Sequence, residues 1–379
     1  MAMSAESKPH SSFKLRIRLN KDGDRNPMRI AQIAPLTEAV PPKLYGGTER
    51  IVSYLTESLV ELGHEVTLFA SGDSVTAATL APMSAKALRL DPSVRDTNAP
   101  LTMMLETVYR RRHEFDVLHF HLDYLPFSLF SRQSTPFLTT MHGRLDLPEL
   151  QPVFDAFRDI PVVSISNDQR KPLPQANFAR TIYHGLPEKL LTPRTDTAPG
   201  YLAFLGRIAP EKRCDRAIEI AIATNTPIKI AAKVDRVDVN YYEQKIRPMM
   251  DHPLVEFIGE INEQQKPAFL SGAKALLTPI DWPEPFGLVM IEAMACGTPV
   301  IAFRHGSVPE VVDEGVTGFA VQSMEDAIGA VGRLDSLPRA AVRARFEQRF
   351  TARRMAEDYV ALYEELAQSR VAEMMVAAE

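Results

Sequence analysis

Three scarcities narrow the reading of this 379-residue chain before any motif is considered. Cysteine is one: only Cys214 and Cys296 occur, and neither has metal-ligand spacing nearby. That excludes a disulfide scaffold and a zinc ribbon, and it suits a reduced, cytoplasmic setting. Basic excess is another. With 43 Lys and Arg against 48 Asp and Glu, the formal charge is −5, whereas a phosphate-tracking surface usually needs a positive balance, so no nucleic-acid partner is expected. Long apolar runs are the third, which excludes a membrane span and, in residues 1–27, a signal peptide. That polar tail is expected to be disordered. Its alternating patch Phe13–Leu19 leaves open a short strand or a basic contact with the inner face of a membrane.

What is present is the composition of a soluble globular protein, 45% hydrophobic and 24% charged, long enough for two cores. Met28–Pro35 reads as a buried parallel strand, followed by a loop containing Gly46 and Gly47 and by helical spacing over Ile51–Leu62. Thr48 is the expected N-cap of that helix. His64–Ala70 is a second strand, so the chain opens as a doubly wound α/β unit. The glycine loop is not G-x-G-x-x-G, which argues against a nicotinamide dehydrogenase. Leu101–His113 reads as a helix, and Asp116–His121, Pro136–Met141 and Pro161–Ser166 as strands. His119 and His121 share one strand face, read as core histidines rather than the beginning of a metal site. His142 ends its strand, where open α/β sheets bind ligands.

Residues 188–200 look like a linker, after which the strand–loop–helix pattern begins again at Tyr201–Arg207. Arg207 and Lys212 flank the new loop, and two cations between a strand end and a helix start suit a diphosphate. Strands follow at Pro227–Ala232, Val255–Glu260 and Ala275–Pro279. The stretch Asp281–Glu292 then runs from a proline-punctuated loop into an all-apolar helix, Leu288–Ala295, bracketed by Pro285 and Gly297. Glu292 in its middle is costly unless partnered. Glu284 stands just before it, and free amides are expected near Phe286, Gly287 and Leu288. A hydroxyl-rich ligand and a satisfied core carboxylate both account for Glu292 at this level.

Glu284-x7-Glu292 with Pro-Phe-Gly between, together with Gly206-Arg207-x4-Lys212, resembles the donor-sugar and diphosphate motifs of retaining GT-B glycosyltransferases of family 4. The likeness extends over residues 28 to roughly 370. It implies two Rossmann-like domains across a cleft: an acceptor domain at 28–190, a donor domain at 200–350, and a C-terminal helix at 351–379 packing back on the first. It implies transfer of a hexose from a nucleotide diphosphate sugar to a hydroxyl, with UDP-glucose preferred and GDP-mannose or an ADP-sugar open. In the resembled family Arg207 and Lys212 take up charge on the leaving diphosphate without a metal or other cofactor. Glu284 and the Phe286–Leu288 amides hold the sugar, Glu292 the ribose, the turn Gly259–Ile261 the base, and His142 orients the sugar. Gly46 and Gly47 lie under the phosphates. The acceptor is read by loops 36–50 and 122–126, which carry no general code. A GT-B epimerase, a non-catalytic nucleotide-sugar binder and a lipid-binding scaffold are the alternatives.

Overall fold

The computed structural model describes residues 27–43 and 46–376, with side chains described to residue 369. The expected tail and its Phe13–Leu19 patch fall on residues 1–26, outside the described residues. Thirteen strands form two parallel sheets. The first contains β1 (Arg29–Ile33), β2 (Glu65–Ser71), β3 (Thr79–Ser84), β4 (Val117–Phe120), β5 (Phe137–Thr140), β6 (Val162–Ser164) and β7 (Phe178–Thr181), in the order β3-β2-β1-β4-β5-β6-β7. The second contains β8 (Tyr201–Arg207), β9 (Ile228–Lys233), β10 (Val255–Gly259), β11 (Ala273–Thr278), β12 (Val300–Phe303) and β13 (Gly318–Val321), in the order β10-β9-β8-β11-β12-β13.

Each sheet is covered on both faces, which is why its strands are nearly continuous apolar runs. Helix Gly47–Glu61 and the long helix Ala352–Val376 cover one face of the first sheet, where Ile51, Leu55, Met355, Tyr359 and Tyr363 pack on Ile30, Val117 and Leu138. The last helix therefore follows the second sheet in sequence but lies on the first. In the second sheet, Cys214–Ala223 covers one face and Leu288–Ala295 the other. Met290, Ile291 and Met294 of the latter are fully buried, each contributing about 1.5–3 kcal/mol of apolar burial.

Strand order reverses between β1 and β4 in the first sheet and between β8 and β11 in the second. Loops leaving the carboxyl ends of those strands diverge and open a crevice. The glycine loop leaves β1, Arg207–Lys212 leaves β8, and Asp281–Gly287 leaves β11. The main sequence motifs thus flank the two switch points.

One expected helix start is corrected and another holds. Helix Gly47–Glu61 begins after Gly46, so Thr48 lies inside the first turn and is not its N-cap. Helix Leu288–Ala295 has Gly287 as N-cap, at φ 81°. Pro285 lies before the helix, as expected, and so does Phe286, with its ring buried. A residue at positive φ breaks the helical path, and glycine does so without a Cβ penalty.

Candidate functional site

Around the second switch point the loops after β8 and β11 are tied together. The amide of Asp281 donates to the Glu211 carbonyl at 2.9 Å, and the Asp281 carboxylate accepts from Arg213 at 3.0 Å. This brings Lys212 onto Glu284: its ammonium donates to Glu284 Oε2, which also accepts from Trp282 Nε1 at 3.2 Å. The ammonium lies 4.8 Å from the Trp282 ring centroid, close enough for a cation–π contribution. The Glu284 backbone is pressed against Gly306, where a Cβ would fall 2.4 Å from the Glu284 nitrogen and oxygen, at φ 57°. Ser307 donates its amide to the Glu284 carbonyl at 2.9 Å and its hydroxyl to the Phe286 carbonyl at 2.8 Å. Gly306 and Ser307 are thus the support of this loop, a role that sequence reasoning did not find.

Arg207 ends β8 and contacts Glu211 at 3.0 Å, Asp235 at 3.4 Å and Asp238 at 3.5 Å. Its charge is balanced by these acidic neighbours. Gly259 ends β10, two strands away from β8, at φ 74°. Ile261 just beyond it packs on the core under Leu288–Ala295.

Glu292 is 1% exposed. Its Oε1 accepts from Arg50 at 2.7 Å and from Lys266 Nζ at 2.8 Å. Burial alone would raise this carboxyl, but Lys266 and Arg50 outweigh burial and hold it below its ordinary value. Burial likewise opposes the charge of Arg50, and Glu292, with Tyr54 and Glu263, more than restores it. Here the carboxylate is a satisfied core charge, and Arg50, from the first sheet's helix, is what satisfies it. Neither Arg50 nor Lys266 was singled out from sequence. Gly47, beside Arg50, has the Leu288 side chain as its nearest neighbour, 4.0 Å from where its Cβ would be. Gly46 is hemmed in by Pro42 and Glu49. Gly47 therefore faces the beginning of helix Leu288–Ala295 across the crevice.

On the first sheet, His142 follows β5 and stacks on His184, ring centroids 5.3 Å apart. His184 meets Phe286 edge-on at 5.0 Å. Ser166 Oγ donates to the Pro285 carbonyl at 2.7 Å, so the motif loop of the second sheet rests on the strand ends of the first. Burial lowers His142 to about 3, and it also keeps His119, His121 and His184 well below the usual histidine range. His119 and His121 are hydrogen-bonded core residues, as their alternation suggested. Glu310 spans the same boundary, accepting from the amides of Asn167 and Asp168, both at 2.7 Å, and from Tyr183 OH at 3.0 Å. Among the described residues no group of three or more His, Cys, Asp or Glu is placed to hold a metal ion. No described helix is long and apolar enough to cross a membrane.

Comparison with known proteins gives two family matches that divide the chain much as the sheets do. Residues 45–187 match the model described as Glycosyltransferase Family 4, and residues 192–349 the one described as Glycosyl transferases group 1. An uncharacterised 41.2 kDa protein in the cps region of Klebsiella pneumoniae is 32% identical over 138 residues, 36% of each chain. A D-inositol 3-phosphate glycosyltransferase of Streptomyces griseus is 30% identical over 200 residues, 48% of this chain and 40% of its own. The chain thus spans well under half the length of these curated relatives. Among solved structures, sucrose-phosphate synthase from Thermosynechococcus elongatus superposes with a TM-score of 0.71 at 21% identity, covering 90% of this chain and 100% of that one. Anabaena HepE in complex with UDP and glucose gives 0.68 at 16%, covering 89% and 99%. With both halves matched in sequence and nearly the whole chain matched in fold, the protein belongs to the group 1, family 4 glycosyltransferases and has their two-domain, Rossmann-like GT-B architecture.

Proposed function

We propose that the protein transfers a hexose from a nucleotide diphosphate sugar to a hydroxyl group, with retention at the anomeric carbon and without a metal. The observation that carries this reading is the Lys212–Glu284 contact beside the Trp282 ring at the second switch point, on a loop whose Phe286 meets His184, the ring stacked on His142. UDP-glucose is the preferred donor, because structural neighbours have been seen with UDP and UDP-glucose. The acceptor is a hydroxyl on a polar small molecule or glycan; relatives named D-inositol 3-phosphate glycosyltransferase are consistent with a polyol phosphate.

In this mechanism the anomeric bond breaks toward the diphosphate. Lys212 and Arg207 stabilise the charge that develops there, more in the transition state than in the ground state. Arg207 would exchange its carboxylate neighbours for phosphate oxygens, and Lys212 would be shared between Glu284 and the leaving group. Glu284 and the amides around Leu288 hold the sugar hydroxyls and position the anomeric carbon. The acceptor hydroxyl attacks from the same face and passes its proton to the leaving phosphate oxygen. His142 orients a hydroxyl and does not titrate. Glu292 reaches ribose hydroxyls once Arg50 releases it, which links donor binding to the spacing of the two sheets.

Thermal unfolding with UDP, GDP and ADP, wild type beside Arg207→Ala and Glu292→Ala, tests this. A ligand at a hundred times its Kd stabilises the native state by about 2.7 kcal/mol. A rise in Tm with one nucleotide, lost in both variants, is the expected result. No rise with any nucleotide at millimolar concentration would overturn the reading.

A further inference from the structure

A chain of buried polar side chains runs through the first sheet from the C-terminal helix to His142. It exists because β1 and β4 pair Gln32 with His119 in register, and His121, two residues on, points to the same face. Tyr363 OH is 2.6 Å from His119 Nδ1, whose Nε2 is 2.7 Å from Thr140 Oγ1. Thr140 in turn meets Tyr359 OH at 2.7 Å. Gln32 Nε2 donates to Tyr363 OH at 3.1 Å, and Gln32 Oε1 lies 2.8 Å from His121 Nε2. His121 Nδ1 is 2.8 Å from His142 Nε2. His142 Nδ1 is buried and has no hydrogen-bond partner among the described residues.

Proton positions follow from valence. A neutral imidazole has one N–H and one lone pair. An amide oxygen only accepts, so His121 has its proton on Nε2. Its Nδ1 is then a lone pair, and His142 Nε2 must be the N–H that meets it. That leaves His142 Nδ1 as a buried lone pair, an acceptor that only a hydrogen-bond donor can satisfy. A buried acceptor beside the sugar-binding loop is suited to a carbohydrate hydroxyl.

We propose that Gln32 is a positioning residue: through His121 it locks His142 in the Nε2–H tautomer, so that His142 Nδ1 accepts a hydrogen bond from a carbohydrate hydroxyl in the crevice. This rests on the transferase reading for the identity of the ligand, but the tautomer itself does not. Tyr363 takes part from the far side, since its hydroxyl accepts from Nε2, the other end of the amide whose Oε1 meets His121. Helix Ala352–Val376 thereby helps to set the chemistry of His142.

The test is 15N NMR of the full chain with histidine-selective labelling, together with steady-state rates on UDP-glucose. In the wild type, His142 Nδ1 is expected to give the unprotonated, pyridine-type signal. In Gln32→Leu that signal should move toward a tautomer mixture, and kcat should fall about tenfold with KM for UDP-glucose little changed. Gln32→Glu, which keeps an oxygen opposite His121, should restore the signal and most of the rate. Tyr363→Phe, which keeps the ring and removes only the hydroxyl, gives the same readout if Gln32→Leu does not fold. Loss of UDP-glucose hydrolysis in step with transfer assigns the hydroxyl to the donor sugar; loss of transfer alone assigns it to the acceptor. A protonated Nδ1 in the wild type, or a pyridine-type signal unchanged in Gln32→Leu and Tyr363→Phe, overturns the proposal. A wild type inactive on every nucleotide sugar but showing the expected tautomers would refute the transferase reading alone.

Discussion

Lys266→Met should be one of the most informative substitutions outside the crevice, because it removes one of two cations from a carboxylate with almost no access to water. The Lys266 side chain is 10% exposed and that of Glu292 1%. At 2.8 Å and an effective dielectric of about 20, the gross attraction is ~6 kcal/mol. Much of that is offset by the desolvation both groups already bear, and breaking a buried pair costs about 3–5 kcal/mol. Arg50 remains at 2.7 Å, so roughly 2–3 kcal/mol is expected here, below the usual range. Urea unfolding of wild type, Lys266→Met, Glu292→Gln and the double variant forms a cycle, with a coupling of about 2 kcal/mol. The effect should also depend on pH. Glu292 is held below its unfolded value, so its contribution is complete above about pH 4.3 and is lost as pH falls through the folded value. Lys266→Met removes part of that depression, so wild type and variant should converge in acid. A coupling below ~0.5 kcal/mol, or a difference that persists unchanged in acid, would refute the assignment of Glu292 as a paired core charge.

Gly306→Ala would set a Cβ against the Glu284 backbone at a positive φ; it should cost about 1–3 kcal/mol in stability and abolish the nucleotide-induced rise in Tm. Glu310→Gln weakens the acceptor shared by Asn167, Asp168 and Tyr183; a loss of about 1–2 kcal/mol and a larger radius of gyration in solution scattering are expected. Acid titration should reveal the buried histidines: His119, His121, His142 and His184 stay neutral when folded, so the unfolded state binds more protons below about pH 6.5. Stability should therefore fall with pH by up to roughly 1.4 kcal/mol per pH unit for each of them. His119→Asn should reduce that slope by about one histidine's share.

Much of the scaffold was legible because parallel strands buried on both faces announce themselves as short apolar runs, and Leu288–Ala295 was found with its observed bounds. Edge strand β3 was not, since Thr79–Ser84 contains Pro82 and is only partly buried, as edges tolerate. Helix Arg339–Arg349 was also missed. Only Val342 and Phe346 of it are buried, and its arginines serve as donors to carbonyls, Arg339 to Ala273 and Arg343 to Leu191 and Ala295. Motif spacing located Lys212 and Glu284, and the fold brings their side chains into contact. The partners of Glu292 were invisible because Arg50 lies 242 residues away in sequence, on a helix whose polar face reads as solvated. The histidine chain was half visible: alternation put His119 and His121 on one face, but only the β1–β4 register brings Gln32 between them.

The placement of helix Ala352–Val376 also bears on how the protein is made. Tyr359 and Tyr363 complete hydrogen bonds of Thr140 and His119 and fill the groove over Ile30 and Leu138. On the ribosome the first sheet emerges long before that helix, and the whole second sheet is synthesised in the interval. Until then Gln32, His119 and Thr140 face an open apolar groove. Folding of the first half is thus finished by a helix that follows the second sheet, so a translation product stopped after Phe350 would present that groove to chaperones while the core residues of its second half, through Phe346 and Phe350, were already in place.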